Sequence, residues 1–465
     1  MTRRPNIVFL IADDHRHQSI GANGCTEVRT PHLDALAARG VSFDGAHCQG
    51  GMHPAVCVPS RASLMTGRNI FVSSQDPTGQ DYEGAAFFIP AGLETFPQRL
   101  RTSGYHTHAV GKWHNDRAAF ARSFTTADRI MFGGMSDHDR VPLNRFDPSG
   151  AYSPEAIYFE PGFSTDQFRA SAEAFLRSRD AAAPFCLYVA FTAPHDPRTP
   201  PPDKRVDPSC VTPPANLLPV HPFDNGEMLV RDERLDVVPR TPDMIRRHLA
   251  DYYGMISHLD SAIGAIVATL REIGRLEDTI IVYTADHGLA LGQHGLLGKQ
   301  NLYEHSTHVP LIMAGPGIPQ GQRHDALVWH ADTTATMLDV ACLPADLACE
   351  GSSLLALMRG ETAEPRRIFA TAYGFVQRAV RDARYKLIRY AGSNSTTPQR
   401  PVRFGPPTRG SDTEQLFDLQ ADPLETVNLA FLPEMQTVHA GLLEALRSWQ
   451  EAVGDPMLPH EPGVD

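Results

Sequence analysis

No stretch of this 465-residue chain approaches the about 20 consecutive apolar residues that a membrane-spanning helix needs, so the sequence offers no bilayer partner. The apolar run Asn6–Ala12 is broken at once by Asp13 and Asp14 and has no small-residue cleavage site after it. It is too short for a signal-peptide core, and the expected location is the cytoplasm. Cysteine is scarce and scattered. Seven of them, an odd number with no CxxC pair, exclude a disulfide framework and a paired-cysteine zinc site. Basic residues are outnumbered, 42 Lys and Arg against 54 Asp and Glu, for a net charge of −12. That balance argues against a nucleic-acid or anionic-membrane partner, and a pocket for an anionic ligand has to gather its Arg, Lys and His locally. There is no internal repeat and no low-complexity tract. What remains, 42% hydrophobic and 21% charged residues, is an ordinary globular composition in a chain long enough for a large core plus a second unit.

Apolar runs alternate with amphipathic helical stretches, the pattern of an α/β protein built on a large, mainly parallel sheet flanked by helices. Asn6–Ala12, Tyr105–Val110, Phe185–Phe191, Thr279–Tyr283 and Val309–Met313 read as strands. Thr30 and Pro31 open a helix, with Thr30 as N-cap, and Gly40 ends it; a long helix covers Pro242–Gly274. The segments 133–163 and 197–241, rich in Pro, Gly and Asp, read as long rim loops. Near residue 360 the texture changes. Ile368–Tyr373, Phe375–Val380 and Tyr385–Tyr390 look like short antiparallel strands, Ser393–Ser411 like a loop, and Gln436–Ala452 like a helix. We expect a catalytic unit over 1–360 and a smaller C-terminal α+β domain with a short antiparallel sheet over 361–465.

Four of the predicted strands run straight into titratable residues: Asp13 and Asp14; Gly111-Lys112-Trp113-His114; Pro194-His195-Asp196; and Asp286-His287-Gly288. Open α/β sheets bind ligands outside the carboxyl ends of their strands, so clusters far apart in sequence can share one site. Asp13, Asp14 and Asp286 brought together repel by about 4 kcal/mol per pair at ~4 Å and an effective dielectric of about 20. Protonation or a cation has to relieve that. Hard carboxylate oxygens with one imidazole suit Ca²⁺, Mg²⁺ or Mn²⁺. Taken singly, each motif reads more readily as a capped strand–helix turn or a turn aspartate than as a metal site.

A fifth cluster decides between these readings: Cys57-Val58-Pro59-Ser60-Arg61, continuing to Thr66-Gly67-Arg68. It resembles the defining motif of the sulfatase family, Cys-x-Pro/Ala-Ser-Arg followed by Thr-Gly-Arg, at each specified position. The other clusters are similar to that family's landmarks and stand in its order, as do Lys299, the Gln415–Leu419 stretch, Asp422-Pro423 and Asn428-Leu429. The resemblance implies an alkaline-phosphatase-like fold and hydrolysis of a sulfate ester. It implies that a separate maturation enzyme oxidises Cys57 to Cα-formylglycine (3-oxoalanine), which hydrates to a diol. It implies one divalent cation, calcium in the first place, held by Asp13, Asp14, the side chain at 57, Asp286 and His287. Lys112 and Lys299 are then expected to clamp the sulfate and Arg61 to fix the diol or the metal shell. His114 is the expected base that lets the second diol hydroxyl expel sulfate, and His195, with Lys299, the expected source of the leaving alkoxide's proton. Pro59 places Cys57 at a helix N-terminus, where the dipole favours negative charge. Histidine suits both proton roles because its ordinary pKa lies near working pH.

The expected substrate is a small sulfated alcohol, a carbohydrate sulfate ahead of an aryl or choline ester, with Asp137, His138 and Arg140 on the rim reading hydroxyls. The His form of the metal motif at His287 is shared with phosphonate- and phosphodiester-cleaving relatives, so a phosphonate monoester hydrolase is the alternative. A non-catalytic binding homologue is the third reading, and the intact Cys57–Arg61 motif opposes it. His305 and His308, at helical spacing, are reserves for the acid role if His195 lies outside the cleft. Gln293-His294-Gly295 is a candidate lining segment. Cys25 and Cys48 read as small buried hydrophobes. Gln399–Arg409 is either a solvated loop or an anion grip.

Overall fold

Seven consecutive residues in Asn6–Ala12 and seven in Thr279–Ala285 are buried. Only a strand covered on both faces accommodates an unbroken apolar run of that length. The computed structural model describes residues 4–75, 88–179, 183–344, 348–361, 365–392 and 408–458. Its strands are β1 (Asn6–Ala12), β2 (Val41–Phe43), β3 (Ala46–His47), β4 (Gly50–Gly51), β5 (His106–Lys112), β6 (Thr126–Met131), β7 (Phe185–Ala190), β8 (Thr279–Ala285), β9 (Leu311–Ala314), β10 (Gln322–His324), β11 (Val328–Trp329), β12 (Phe369–Tyr373), β13 (Gln377–Arg381), β14 (Tyr385–Tyr390) and β15 (Thr413–Asp418).

Eight strands form one sheet in the order β10-β2-β9-β8-β1-β7-β5-β6. From β8 to β6 all neighbours are parallel, whereas β9 runs antiparallel to both β8 and β2. β8, β1, β7 and β5 therefore point their carboxyl ends the same way and lie side by side. The 31-residue helix Pro242–Glu272 packs on the sheet through Leu259, Ile263 and Ile266, all fully buried, and Thr241 caps it by accepting from the backbone N–H of Met244. The helix Pro31–Arg39 begins on its proline as expected, but Thr30 does not cap it; its hydroxyl accepts from Gly21 and donates to Asp34.

A second sheet runs β15-β14-β13-β12-β4. Four of its strands are antiparallel neighbours from the C-terminal region, and the helix Gln436–Val453 covers one face through Leu442 and Leu446. Its edge strand β4 comes from near the start of the chain and pairs parallel with β12. β3 and β11 form a separate two-stranded ladder. No helix among the described residues is long and apolar enough to cross a membrane.

Candidate active site

Each chemical cluster stands at the end of its strand for a local reason. At the end of β5, the register against β6 shifts between Val110 and Gly111. Gly111 has φ +93°, and a Cβ there would sit 2.1 Å from the carbonyl oxygen of Ala190. Only glycine fits, and the kink carries Lys112 and His114 toward the sheet's carboxyl edge. After β8, a Cβ on Gly288 would lie 2.2 Å from the carbonyl oxygen of His305, which accounts for glycine following Asp286-His287. Asp14 (φ 67°) and His114 (φ 54°) hold left-handed backbone without being glycine. Such conformations cost about 1–3 kcal/mol each and persist where surrounding contacts over-determine them.

Cys57 is the first residue of the helix Cys57–Thr66, every residue of which is buried. The helix is pinned to β8, since the Ser60 hydroxyl donates to the carbonyl of Asp286 at 2.5 Å. Arg61, one turn in, donates through Nε to Asp286 Oδ2 at 2.9 Å and through Nη1 to the carbonyl of Lys112 at 3.2 Å. Lys112 Nζ bonds Asp13 and the carbonyl of Gly134. Lys299 Nζ donates to Asp14 Oδ1 at 2.8 Å, and the backbone N–H of Asp14 donates to Asp286 Oδ1 at 3.1 Å. Side chains from five separate stretches thus share one buried polar cluster.

Ligand atoms from Asp13, Cys57, Asp286 and His287 all lie within 4.8 Å of one another. Asp14 falls in an overlapping group with Asp13 and His195. Three atoms here are buried with no hydrogen-bond partner among the described residues: Asp13 Oδ1, His287 Nε2 and Arg61 Nη2. An unpartnered carboxylate oxygen and an unpartnered imidazole nitrogen converging beside a second carboxylate suit a cation once the ring gives up its proton, and the donor set fits one divalent ion. The charges agree. Burial and the neighbouring Asp286 raise Asp13 above the usual carboxylate range despite Lys112 at its side. Burial opposes ionisation of Asp286 too, but His287, Arg61 and Lys112 hold it well below that range. Asp14, buried but faced by His195, Lys299 and His287, drops to about 2. Burial pulls His287 down, yet Asp286 and Asp14 outweigh it and raise it to about 9, so the ring carries a proton that an incoming cation displaces.

Above the cluster a cleft opens, lined by Pro54, Ala55, Cys57, His114, Gly134, Met135, His195, Arg231, Asp232 and Lys299. Of the residues expected at the chemistry, Cys57, His114, His195 and Lys299 form its wall, whereas Lys112 and Arg61 lie behind it, among the carboxylates. Burial, with Lys112, Arg61 and Lys299 nearby, keeps His114 neutral, well below the ordinary imidazole range. Its Nδ1 has no partner among the described residues. His195 Nδ1 lies 2.6 Å from the carbonyl of Asp196, and its Nε2 stands 3.8 Å from Asp14 Oδ2. The Nδ1 proton is therefore committed, leaving Nε2 as the nitrogen that can exchange one.

Several expectations for the rim do not hold. His138 is buried and cannot read a substrate: its Nε2 bonds the carbonyl of His195 at 2.8 Å and its Nδ1 meets the Thr192 hydroxyl at 3.0 Å. Arg140 is exposed and stacks over Phe159, 5.2 Å from the ring centroid, while the carbonyl of Asp137 receives the N–H of Arg140. His294 is not in the cleft wall; it stacks on Tyr303 at 4.0 Å. His305 and His308 are also away from the cleft, and His195 is in it, so neither is needed as the acid. Cys48 is buried and Cys25 partly so, both as free thiols. Of Gln399–Arg409 and Ser393–Ser411, residues 393–407 lie outside the described residues. Met135, Arg231 and Asp232 were not anticipated; the first two stand in aperiodic loops and Asp232 opens a single helical turn, and tertiary contacts fix the position of all three.

The family profile described as Sulfatase matches residues 5–343, and one described as N-sulphoglucosamine sulphohydrolase, C-terminal, matches residues 292–398. The choline-sulfatase of Rhizobium meliloti is 31% identical over 98% of this chain and 88% of its own. The N-acetylglucosamine-6-O-sulfatase of Bacteroides thetaiotaomicron is 26% identical over the same shares, 98% and 88%. A structure solved in complex with its substrate D-glucosamine-2-N,6-O-disulfate superposes with a TM-score of 0.76 over 98% of this chain and 99% of that one, at 23% identity. The fold is the sulfatase form of the alkaline-phosphatase-like architecture. The polar cluster at the carboxyl edge of the sheet, the motif at Cys57 and these likenesses agree: the chain belongs to the sulfatase family and is a hydrolase of sulfuric esters.

Proposed function

We propose that this sulfatase releases inorganic sulfate from a sulfated carbohydrate, with Cys57 matured to formylglycine and a divalent cation, calcium, bound beside it. The observation that carries the reading is the meeting of Cys57, His114, His195 and Lys299 in one cleft directly over the four-residue ligand cluster. Asp13, Asp286, His287 and the side chain at 57 would hold the cation, with Asp14 at its edge. When bound, such an ion polarises a sulfate oxygen and lowers the pKa of a hydroxyl at position 57. Hydrated formylglycine supplies two hydroxyls on one carbon, one to attack and one to expel the sulfate later.

The chain's own residues do the rest. Lys299 in the wall, with Lys112 and Arg61 behind it, offsets Asp13, Asp14 and Asp286, so that a bound divalent cation would leave the cleft floor positive. Neutral His114 accepts a proton at its open Nδ1. His195 delivers one from Nε2 to the departing alkoxide. Among the described residues lining the cleft there is no Phe, Tyr or Trp. A quaternary ammonium is held by aromatic faces, so the lining favours a hydroxylated alcohol over a choline ester. The test is kcat/KM across sulfated monosaccharides, choline sulfate, 4-nitrophenyl sulfate and an aryl phosphonate. A sulfated sugar is expected to lead; a lead for choline sulfate or the phosphonate replaces the carbohydrate reading.

His138 is expected to act as a positioning residue, since it ties the carbonyl of His195 to Thr192 and, through it, to Ser164 at 2.7 Å. His138→Ala is expected to lower kcat about ten- to a hundredfold, the loss that a misplaced proton donor produces. KM and inhibition by free sulfate should stay near wild type. His138→Gln, which keeps a donor toward that carbonyl, should recover part of kcat. A matching rise in KM, or no recovery, would show instead that the loop has collapsed.

A further inference from the structure

Beyond the groups at the ester, the cleft wall contains few ways to recognise the alcohol. Pro54, Ala55, Gly134 and Met135 present no polar side-chain donor. Arg231 and Asp232 are the exceptions. Asp232 is largely occupied: Oδ1 accepts from Arg231 Nη1 at 2.8 Å and Oδ2 from Gln300 Nε2 at 2.8 Å, and the residue is 6% exposed. The Arg231 side chain is 24% exposed. Its Nη1 also reaches Asp196 Oδ1 at 3.4 Å, and its Nη2 bonds Asp196 Oδ2. A guanidinium has five N–H bonds. These contacts use three, so the Nε–H and one Nη2–H have no partner among the described residues.

From this we infer that Arg231 determines specificity by donating to a hydroxyl of the alcohol beside the sulfated carbon. The inference rests on the carbohydrate reading and sharpens it. Two carboxylates face the one guanidinium, so no positive charge is left over for a second sulfate or a substrate carboxylate. The two unused N–H bonds still need an acceptor, and a neutral hydroxyl supplies one. A quaternary ammonium has none to give. The donor is also held still. The next residues, Asp232–Arg234, form a single helical turn, and Glu233 accepts from the backbone N–H groups of Leu297 (2.9 Å) and Gly298 (2.8 Å), just ahead of Lys299. Arg231 and the sulfate-facing lysine are thus fixed to one brace, which sets the distance between ester and hydroxyl.

Arg231→Lys separates this role from mere support of Asp196. A lysine ammonium keeps the ion pairs, but its three donors are consumed by the carboxylates of Asp196 and Asp232. On the best sulfated monosaccharide, kcat/KM is expected to fall about 10- to 100-fold, mainly through KM, as for loss of a hydrogen bond from a charged donor. On 4-nitrophenyl sulfate, whose alcohol has no neighbouring hydroxyl, it should change by less than about threefold, because the interaction is absent from that transition state. Both substrates are measured on one preparation, so the ratio does not depend on how much of the variant folds. Equal losses on both, or no loss on either, overturn the inference and leave Arg231 a prop for Asp196. Wild-type protein that cleaves 4-nitrophenyl sulfate but no sulfated sugar overturns the carbohydrate reading itself.

Discussion

Cys57→Ala is expected to lower sulfate-ester turnover by at least about four orders of magnitude, as removal of a covalent nucleophile does. The fold should survive. Cys57 opens a helix whose ten residues are all buried, and the change deletes one sulfur atom from a site that Ser60 and Arg61 continue to anchor to Asp286. Far-UV circular dichroism and the melting temperature should therefore stay close to wild type while 4-nitrophenyl sulfate hydrolysis disappears. Cys57→Ser is the informative companion. Serine offers an oxygen but lacks the second hydroxyl on the same carbon, so any sulfate it accepts cannot be expelled by collapse to an aldehyde. Mass spectrometry of the Val56–Arg61 peptide should then show serine with or without one added sulfo group. The same peptide from active wild type should have lost sulfur and two hydrogens and gained oxygen. Turnover by Cys57→Ala within tenfold of wild type would falsify the assignment of this residue as the nucleophile.

Acid should destabilise the protein steeply. Burial lowers His17 and His221 to about 4 and His108 and His294 to about 3. All four stay neutral in the fold, while their unfolded values lie near 6.5. The unfolded chain therefore binds more protons below that pH, and the stability these residues contribute is whole above about pH 6.5. It is lost as pH falls from there toward 4 and 3. Four such groups give a slope on the order of 5 kcal/mol per pH unit where the unfolded chain is fully protonated and the fold is not. His287 works in the opposite sense while no cation is bound, being raised to about 9, but it is one group against four. Urea unfolding at pH 7.5, 6.0 and 5.0 should show the midpoint dropping sharply at each step. A flat profile across that range would mean that these rings are hydrated or already charged.

The strands that build the site were legible because they are buried on both faces, and such strands are continuous apolar runs. β1, β5, β7 and β8 were all recognised, and their ends delivered Asp13, Asp14, Lys112, His114, His195, Asp286 and His287 to one edge. β6 was not, since Thr126–Met131 carries Asp128 and Arg129 on the outermost strand and so lacks that signature. β2, β3 and β10 are two or three residues long, below any periodicity. At the site, residues next to a strand end or inside the Cys57 motif could be read from sequence. Arg231 and Met135 could not, because their place depends on Glu233 capping Leu297 and on Lys112 seizing the carbonyl of Gly134. Rim residues chosen for their polarity failed for the converse reason: His138 is polar because it supports a backbone turn.

The edge strand β4 ties the order of synthesis to the chemistry. Gly50–Gly51 has its sheet partner in β12, and β12 ends at Tyr373, so roughly 320 residues separate the two on the ribosome. Until that later segment emerges, the stretch leading into Cys57 has no β-partner to close it down. Once it has emerged, the thiol is 1% exposed. What an enzyme acting on Cys57 would meet thus differs between the growing chain, in which β4 still lacks its partner, and the finished fold, in which the side chain forms part of a cleft wall.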